Sequence, residues 1–251
     1  MKVVAIVNQK GGVGKSTTAA ALAGGLFLKG LRVLSIDLDA QGNLSHTMRA
    51  DPGKGKSVLS VLLQEATIQE AVQSTPWGGL LPASRSLSGV DAILVDTGKE
   101  YRLREALELV QGEYDYVIID SPPALGIATV NALTAAHTAI IPAQADIYSL
   151  QGIEQLAGTI RTVKRYCNPG LSIDGILLTR YSPRSILSRE VQGLMEQLAG
   201  KLDTRLYQTA IREAIAVKEA QISRQSLLEY APHAKVTEDY RALLQEAFPE
   251  V

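Results

Sequence analysis

A glycine-rich run near the start of the chain constrains the fold more than any other feature of the sequence. Residues 8–17 read NQKGGVGKST and follow an apolar strand pattern, Val3–Val7. A helical pattern, Thr17–Lys29, continues directly from the run and is closed by Gly30. A strand, a glycine-rich loop and a helix in this order place backbone N–H groups around the phosphates of a nucleotide. The pattern therefore predicts a nucleoside triphosphate site rather than a simple tight turn.

Two side chains of this run have defined chemistry, and two others depart from the general pattern. We expect Lys15 to reach the β- and γ-phosphates and the Ser16 hydroxyl to ligate Mg²⁺. Compared with the general G-x-x-x-x-G-K-[ST] pattern, Gln9 stands at the first glycine position and Lys10 is an additional lysine. A solvated loop lysine is the alternative interpretation of Lys10. The predicted nucleotide-binding residues of the loop are Lys10, Gly11, Gly12, Val13, Gly14, Lys15, Ser16 and Thr17.

Composition favours a folded protein and gives no whole-chain sign of nucleic-acid binding. The 251 residues are 46% hydrophobic and 20% charged, and 25 basic and 26 acidic side chains give a net charge of -1. Any affinity for DNA must therefore come from a local basic patch. The single cysteine, Cys167, excludes a disulfide framework or a self-contained cysteine metal cluster. Without a signal-peptide pattern or an apolar run of 18 residues, the chain is expected to be cytoplasmic.

Strand and helix patterns alternate along the chain, which predicts one α/β domain over residues 1–251 with a doubly wound, mostly parallel sheet flanked by helices. The predicted strands are Val3–Val7, Val33–Ile36, Tyr116–Ile119, Thr138–Pro142 and Gly175–Thr179. The predicted helices include Thr17–Lys29, Lys99–Gln111, Leu150–Tyr166, Ile186–Leu198 and Val236–Phe248. Residues 49–56 and the segment around residues 75–79 are interpreted as loops.

Acidic residues follow two of these strands at the points where the strands end. Asp37 and Asp39 come after Val33–Ile36, and Asp120 comes after Tyr116–Ile119, where two prolines stop the strand. Ligands of open α/β sheets bind beyond the carboxyl ends of the strands. A strand that ends in aspartate is also how phosphate-loop proteins place a carboxylate near Mg²⁺. The sequence therefore predicts a metal site from Ser16, Asp37 and Asp120.

Several segments together resemble a known group of enzymes. Residues 8–17 with the extra Lys10, the segment Asp37–Asn43 and the segment Asp120–Gly126 resemble the deviant Walker A ATPases of the ParA/MinD class. The resemblance to Soj-type ParA partition ATPases rests further on Asn131–Leu133 and Ile141–Gln144, and it runs nearly end to end. Because it has no N-terminal helix-turn-helix pattern, the chain is similar to the short ParA proteins.

The resemblance implies a role for each matched position. Lys15 matches the phosphate-binding lysine and Ser16 the Mg²⁺ ligand, while Lys10 matches a lysine that reaches the partner's phosphates in an ATP-sandwich homodimer. Asp39 matches the residue that orients the attacking water. An aspartate has a pKa of about 3.9 and is a weak base at neutral pH, so orientation rather than proton abstraction is the sensible role. The resemblance therefore implies a Mg²⁺-dependent ATPase whose catalytic residues are Lys10, Lys15 and Asp39.

The resemblance also implies ATP-dependent binding to nonspecific DNA and a ParB-like centromere-binding partner, in a nucleoid-associated protein that segregates a chromosome, a plasmid or similar cargo. Six basic residues against one acid between residues 161 and 189 fit a DNA-binding patch, although a solvated helix face is the alternative. Ala216 stands where the ParA pattern carries a DNA-contacting arginine. The residues predicted to contact DNA are Arg184, Arg189, Lys218 and Lys235.

Other functions remain open on the sequence alone. A MinD-like or other positioning ATPase acting without DNA is the main alternative, and Thr179 and Arg180 are weak nucleotide-binding candidates in either branch. The acidic C-terminal helix pattern does not suit an anionic membrane, so no membrane partner is expected. A nitrogenase-reductase relative is excluded by the single cysteine. A metabolic amide-forming or kinase-type relative would need an additional substrate pocket, and His46, His137 and His233 are too scattered to form a catalytic cluster.

Overall fold

The computed structural model describes residues 1–182 and 186–251 and contains a mixed sheet of eight strands within these ranges. The strands lie in the order β3-β4-β2-β5-β1-β6-β7-β8, and all neighbouring pairs are parallel except β3 with β4. Their bounds are β1 (Lys2–Ile6), β2 (Val33–Asp37), β3 (Gln73–Thr75), β4 (Gly78–Leu81), β5 (Tyr116–Asp120), β6 (Thr138–Gln144), β7 (Ser172–Thr179) and β8 (Arg205–Leu206). All five predicted strands are confirmed, with β6 continuing two residues beyond Pro142.

Helices connect the strands and cover the sheet. Their bounds are α1 (Lys15–Leu28), α2 (Asn43–Thr47), α3 (Val58–Leu62), α4 (Ile68–Ala71), α5 (Val90–Ile93), α6 (Arg102–Glu108), α7 (Ile127–Ala135), α8 (Ile147–Tyr166), α9 (Ile186–Lys201), α10 (Ile215–Ile222), α11 (Leu227–Tyr230) and α12 (Lys235–Ala247). The predicted helices are all found. The one predicted over Lys99–Gln111 begins as a 3-10 turn and becomes α-helical only over Arg102–Glu108. No helix of the described ranges is long and apolar enough to cross a membrane.

The two faces of the sheet bury separate hydrophobic cores. One core packs α1 and the C-terminal helices α10 to α12 against the sheet through residues such as Leu22, Leu26 and Leu243. The other packs α3 and α6 to α9 against the opposite face through residues such as Leu103, Leu133 and Leu156. Helices on both faces of a mostly parallel sheet confirm the doubly wound α/β architecture.

One predicted loop is wrong. Instead of an open loop around residues 75–79, β3 and β4 form an antiparallel hairpin at one edge of the sheet. The Thr75 hydroxyl donates to the Gly78 carbonyl oxygen and accepts from the Trp77 N–H, which closes the turn. The Trp77 side chain is buried in the core beneath Arg49. Residues 49–56, by contrast, form a loop with a 3-10 turn at Pro52–Lys54, as predicted.

Three adjacent strands end at the same edge of the sheet. In the central order β2-β5-β1, Asp120 pairs in register with Asp37 on one side and with Ile6 on the other. The loops that follow these strands therefore lie next to each other at the carboxyl edge. This edge of the sheet carries the candidate functional site.

Candidate functional site

The phosphate loop is held in shape by two left-handed glycines and one asparagine. Gly12 and Gly14 have φ angles of 75° and 86°, which lie in the left-handed region that residues with a Cβ rarely adopt. Gly14 caps α1 without a side chain, so the first N–H groups of the helix are left for a ligand. At the base of the loop, Asn8 accepts from the Lys10 N–H at 2.9 Å and donates to the Pro142 carbonyl oxygen at 2.7 Å.

A cavity of about 410 Å³ adjoins the loop and has a volume suited to a nucleotide. Every residue of Gly11–Thr17 lines it, together with Asp39, Thr179 and Arg180. The Thr179 hydroxyl donates to the Val13 carbonyl oxygen at 2.8 Å, which ties the end of β7 to the loop. Arg180, the next residue, has a φ angle of 49° and an exposed side chain. The structure thus brings the two weak nucleotide candidates into the same cavity as the loop.

The far wall of this cavity comes from a part of the chain to which the sequence assigned no nucleotide contact. It consists of residues 211–214, residues from α10 and Tyr240 of α12. Lys218, predicted to contact DNA, is one of these lining residues. Gln221 donates to the Thr17 hydroxyl at 3.0 Å, which connects the wall to the loop. No local sequence signal marks residues 211–214, because their position depends on the Ile211 N–H pairing with the Leu178 carbonyl oxygen.

Lys15 lies buried inside the loop, with its side chain next to the acidic residues. Its Nζ donates to the Lys10 carbonyl oxygen at 3.2 Å. Burial lowers the pKa of Lys15, while the charges of Asp120 and Asp39 act in the opposite direction. A buried ammonium that donates to one carbonyl oxygen has donor capacity left for a phosphate.

Asp37 is fully buried, and its two oxygens are already engaged. Oδ1 accepts from the Asp39 N–H at 3.1 Å, and Oδ2 accepts from the N–H and hydroxyl of Ser45, both at 2.7 Å. Burial raises the pKa of Asp37 to about 6, partly offset by these hydrogen bonds. This arrangement favours a role in shaping the loop between β2 and α2 over direct metal ligation.

Asp120 differs from Asp37, because its two buried oxygens accept no hydrogen bond of good geometry among the described residues, although the Ser16 hydroxyl lies beside them. Burial and the nearby Asp37 charge raise the pKa of Asp120 well above its usual range, and Ser16 and Lys15 oppose this. A buried carboxylate without donors is costly unless a ligand satisfies it. The Ser16 hydroxyl and Asp120 therefore fit Mg²⁺, which typically takes one or two protein ligands beside phosphates and water.

The unpartnered carboxylate leads to a stability prediction. We expect Asp120→Asn to raise the free energy of unfolding of the nucleotide-free protein by about 1–3 kcal/mol, because a neutral amide removes the buried charge. This corresponds to roughly 5 °C in Tm. Calorimetry without nucleotide measures it, with the exposed Glu113→Gln as a control for the same carboxylate-to-amide change. A lower Tm for Asp120→Asn would show that the carboxylate is satisfied.

Asp39 and Lys10 have different surroundings. Asp39 is nearly buried, lines the cavity and accepts from the Gln41 N–H at 3.0 Å. The Lys10 Nζ donates to Asp146 Oδ2 at 2.6 Å. Burial alone would raise the pKa of Asp146, but the hydrogen bonds from Lys10 and Ser149 hold it below its ordinary value. Lys10 is therefore a tethered side chain rather than a freely solvated one.

Among the described residues, the basic side chains predicted as a patch between residues 161 and 189 do not form one surface. Arg161, Lys164 and Arg165 lie toward the end of α8, about 20 Å or more along its axis from the carboxyl edge of the sheet. Arg180 and Arg189 lie at the carboxyl edge itself, after β7 and in the first turn of α9. The patch is thus divided between two ends of the sheet. The predicted DNA contact Arg184 lies outside the described residues.

The remaining residues singled out in the sequence have ordinary surroundings. His46, His137 and His233 are exposed and lie at separate helix ends or loops, so they form no cluster. The Val3 N–H donates to His137 Nδ1 at 2.9 Å. Cys167 is a free, half-buried thiol.

Comparison with known proteins identifies the family. A family model described as an AAA domain, AAA_31, matches residues 1–173. The chain is 37% identical to the sporulation initiation inhibitor protein Soj of Bacillus subtilis over 98% of its own length and 97% of that relative. This chain belongs to the ParA/MinD class of P-loop ATPases. It is also 39% identical to the chromosome partitioning protein ParA of Caulobacter vibrioides, covering 98% of this chain and 93% of that one.

Two solved structures extend the comparison. A Mycobacterium smegmatis protein described as cobyrinic acid a,c-diamide synthase, with bound ATP analog and magnesium, is 36% identical with a TM-score of 0.85. That match covers 98% of this chain and 93% of the other. Apo McdA of Cyanothece is 26% identical with a TM-score of 0.88, covering 99% of both chains. The names of these similar proteins therefore point to more than one function.

Proposed function

We propose that this protein is an ATP-dependent switch that dimerises around two nucleotides, binds nonspecific DNA and segregates a chromosome, a plasmid or similar cargo with a ParB-like centromere-binding partner. The observation that carries the proposal is the pair of lysines in one loop. Lys15 is buried beside Asp120, whereas Lys10 is held at the partly exposed outer side of the loop. One lysine is suited to its own nucleotide and the other to a nucleotide on a second protomer.

ATP and Mg²⁺ are the ligands that fit the cavity, and ATP hydrolysis is the reaction. The N–H groups at the start of α1 and the Lys15 ammonium bind the phosphates, while Ser16 and Asp120 hold the metal. Mg²⁺, when bound, supplies charge neutralisation on the phosphate oxygens. Asp39 orients the attacking water, and Asp37 fixes the loop that carries Asp39 through the Asp39 N–H. Solved relatives with an ATP analog and magnesium support this assignment.

The requirement for a second protomer follows from the positive charge that ATP hydrolysis needs at the transferred phosphate. Phosphoryl transfer needs positive charge near the transferring group, and a cation supplied in trans couples hydrolysis to assembly. A Lys10 ammonium donated across a dimer would do this. The ATP-bound dimer would then be the DNA-holding state, and hydrolysis would release it.

The DNA surface is proposed at the carboxyl edge of the sheet. Arg189 at the start of α9 and Lys235 at the start of α12 are exposed there, and Lys218 lies at the cavity rim. Basic side chains that neutralise phosphates give salt-dependent, sequence-independent binding. The Arg212 guanidinium is paired with Asp239 at 2.7 Å and is less available.

Binding of nonspecific duplex DNA tests this surface. We expect Asp39→Ala protein, which retains ATP, to bind DNA with ATP and not with ADP, and to lose affinity steeply as salt is raised. Adding Arg189→Glu should lower affinity several-fold and reduce the salt slope by about 1. Arg161→Glu, the same charge change at the far end of α8, is the matched control. Equal loss in both variants would indicate a general charge effect, and no binding in either nucleotide state would exclude the DNA switch.

Two other functions are the alternatives. The first is a ParA-like positioning ATPase that acts without DNA, which ATP-dependent dimerisation without DNA binding would support. The likeness to the protein described as a diamide synthase favours amide formation. Incubation with cobyrinic acid, glutamine and ATP distinguishes this case, because mass spectrometry would detect an amidated product only if the chain has that activity.

A further inference from the structure

The side chain of Lys10 lies in a cradle built entirely by its own chain. Besides Asp146 Oδ2 at 2.6 Å, its Nζ donates to Gln144 Oε1 at 3.4 Å and the Ser149 hydroxyl at 3.5 Å. Gln144 ends β6, and Asp146 and Ser149 begin α8. The cradle is thus formed where a central strand turns into a helix, and it is well separated in sequence from the loop it holds.

The cradle competes with the trans role of the same ammonium. A Lys10 side chain that donates to Asp146 cannot at the same time point across an interface at a phosphate. Lys15 is in a different setting, because its buried ammonium donates to the Lys10 carbonyl oxygen and is near the charges of Asp120 and Asp39 without a direct ion pair to either among the described residues. The two lysines of the loop therefore differ in that only Lys10 must leave a charged partner before it can act.

We propose that Asp146 is a positioning residue, which holds Lys10 in cis until a second ATP-bound copy of this chain draws the ammonium away. The proposal rests on the dimer in the proposed function and adds the state from which that dimer forms. Asp146 makes the free protomer inactive in trans, so that Lys10 becomes available only when two protomers meet.

The contacts of Asp146 allow it to release Lys10 without being left unsatisfied. Its Oδ1 accepts from the Ser149 N–H at 2.9 Å and so caps α8, and its Oδ2 also accepts from the Ser149 hydroxyl at 3.2 Å. The side chains of Lys10 and Asp146 are 31% and 32% exposed, so water can replace the lost ion pair. Departure of Lys10 therefore leaves neither a buried charge nor an uncapped helix.

Two apolar side chains next to the cradle provide a driving force for release. Ile147 and Tyr148 directly follow Asp146 and are 59% and 77% exposed. A second copy that approaches Lys10 closely would cover them. Burial of these side chains on dimerisation would offset the loss of two cis ion pairs.

The expected size of the effect is modest and measurable. Partly exposed ion pairs such as Lys10–Asp146 stabilise a protein only slightly. Losing one in each protomer should change the dimerisation constant by about threefold per protomer. Both protomers must release Lys10 when the dimer forms, so the two effects multiply. Removing the negative charge at residue 146 should strengthen the dimer about tenfold.

Asp146→Asn tests the proposal, because asparagine keeps the helix cap but loses the charge. In the Asp39→Ala protein with ATP, sedimentation should give a dimer dissociation constant about tenfold lower for Asp146→Asn. The control is Glu154→Gln, an exposed carboxylate-to-amide change on the same helix. In a Lys10→Ala background, Asp146→Asn should give no gain. An unchanged or weaker dimer for Asp146→Asn in the protein that keeps Lys10 would overturn the proposal.

A second measurement keeps this inference separate from the dimer itself. In the nucleotide-free monomer, an amine-acylating reagent read out by mass spectrometry should modify Lys10 several-fold faster in Asp146→Asn than in the unaltered chain. The exposed Lys201 serves as the internal reference. Unchanged Lys10 reactivity would contradict the proposal that Asp146 holds Lys10 in the monomer. Failure of the unaltered chain to dimerise with ATP would instead contradict the proposed dimer, and with it the release step.

Discussion

Lys15→Ala is expected to lower the affinity for ATP by about 100-fold or more. The Lys15 ammonium is buried in the loop near the charges of Asp120 and Asp39. The other described cation of the loop, Lys10, is partly exposed, so it would not replace Lys15 at the phosphates. Loss of two charge-assisted hydrogen bonds to phosphate costs about 3–6 kcal/mol, and each 1.4 kcal/mol is about tenfold in affinity. Titration with a fluorescent ATP analogue, with and without Mg²⁺, measures the loss.

The control for this experiment is Lys201→Ala, an exposed lysine in the last turn of α9. It should bind ATP as the unaltered chain does. Because Lys15 donates to the Lys10 carbonyl oxygen, the variant could also loosen the loop, so Tm without nucleotide should be measured in parallel. An unchanged ATP affinity in a folded Lys15→Ala protein would contradict the assignment of the phosphate site.

The parts of the fold that the sequence predicts are those with long, regular patterns. β1, β2, β5, β6 and β7 are continuous apolar runs, because they are buried on both faces. The elements between β2 and the helix predicted over Lys99–Gln111 escaped prediction, because each has five residues or fewer, too few to display a period. The helix α7 escaped for another reason. Seven of its nine residues are buried, so it shows no apolar stripe against a polar face.

The candidate site divides in the same way. Its phosphate loop and its aspartates are local motifs at strand ends, and the sequence locates them. The cavity wall at residues 211–214 and the cradle of Lys10 depend on contacts between distant parts of the chain. Asp146 is 136 positions from Lys10, and its residue type alone indicates only a helix cap. The hairpin at Trp77 likewise requires the edge of the sheet, which local sequence does not contain.

Asp39→Ala is expected to slow ATP hydrolysis by about 100-fold or more while leaving ATP binding intact. The Asp39 side chain lines the cavity, and its backbone N–H is fixed by the buried Asp37. A residue that orients water contributes chiefly to the transition state, so its loss should lower kcat and change ATP affinity little. Each factor of ten corresponds to about 1.4 kcal/mol of activation free energy. Phosphate release under saturating ATP measures kcat, and equilibrium titration measures binding.

A matched substitution separates the role of the carboxylate from the shape of its loop. Asp51 is an exposed aspartate farther along the same connection, and its carboxylate accepts from the Gly53 N–H at 2.9 Å. Asp51→Ala should therefore hydrolyse ATP at the rate of the unaltered chain. If Asp39→Ala lost ATP binding as well as turnover, the carboxylate would be needed to shape the site rather than to orient water. If it retained full turnover, the water-orienting group would have to be sought among the other residues that line the cavity.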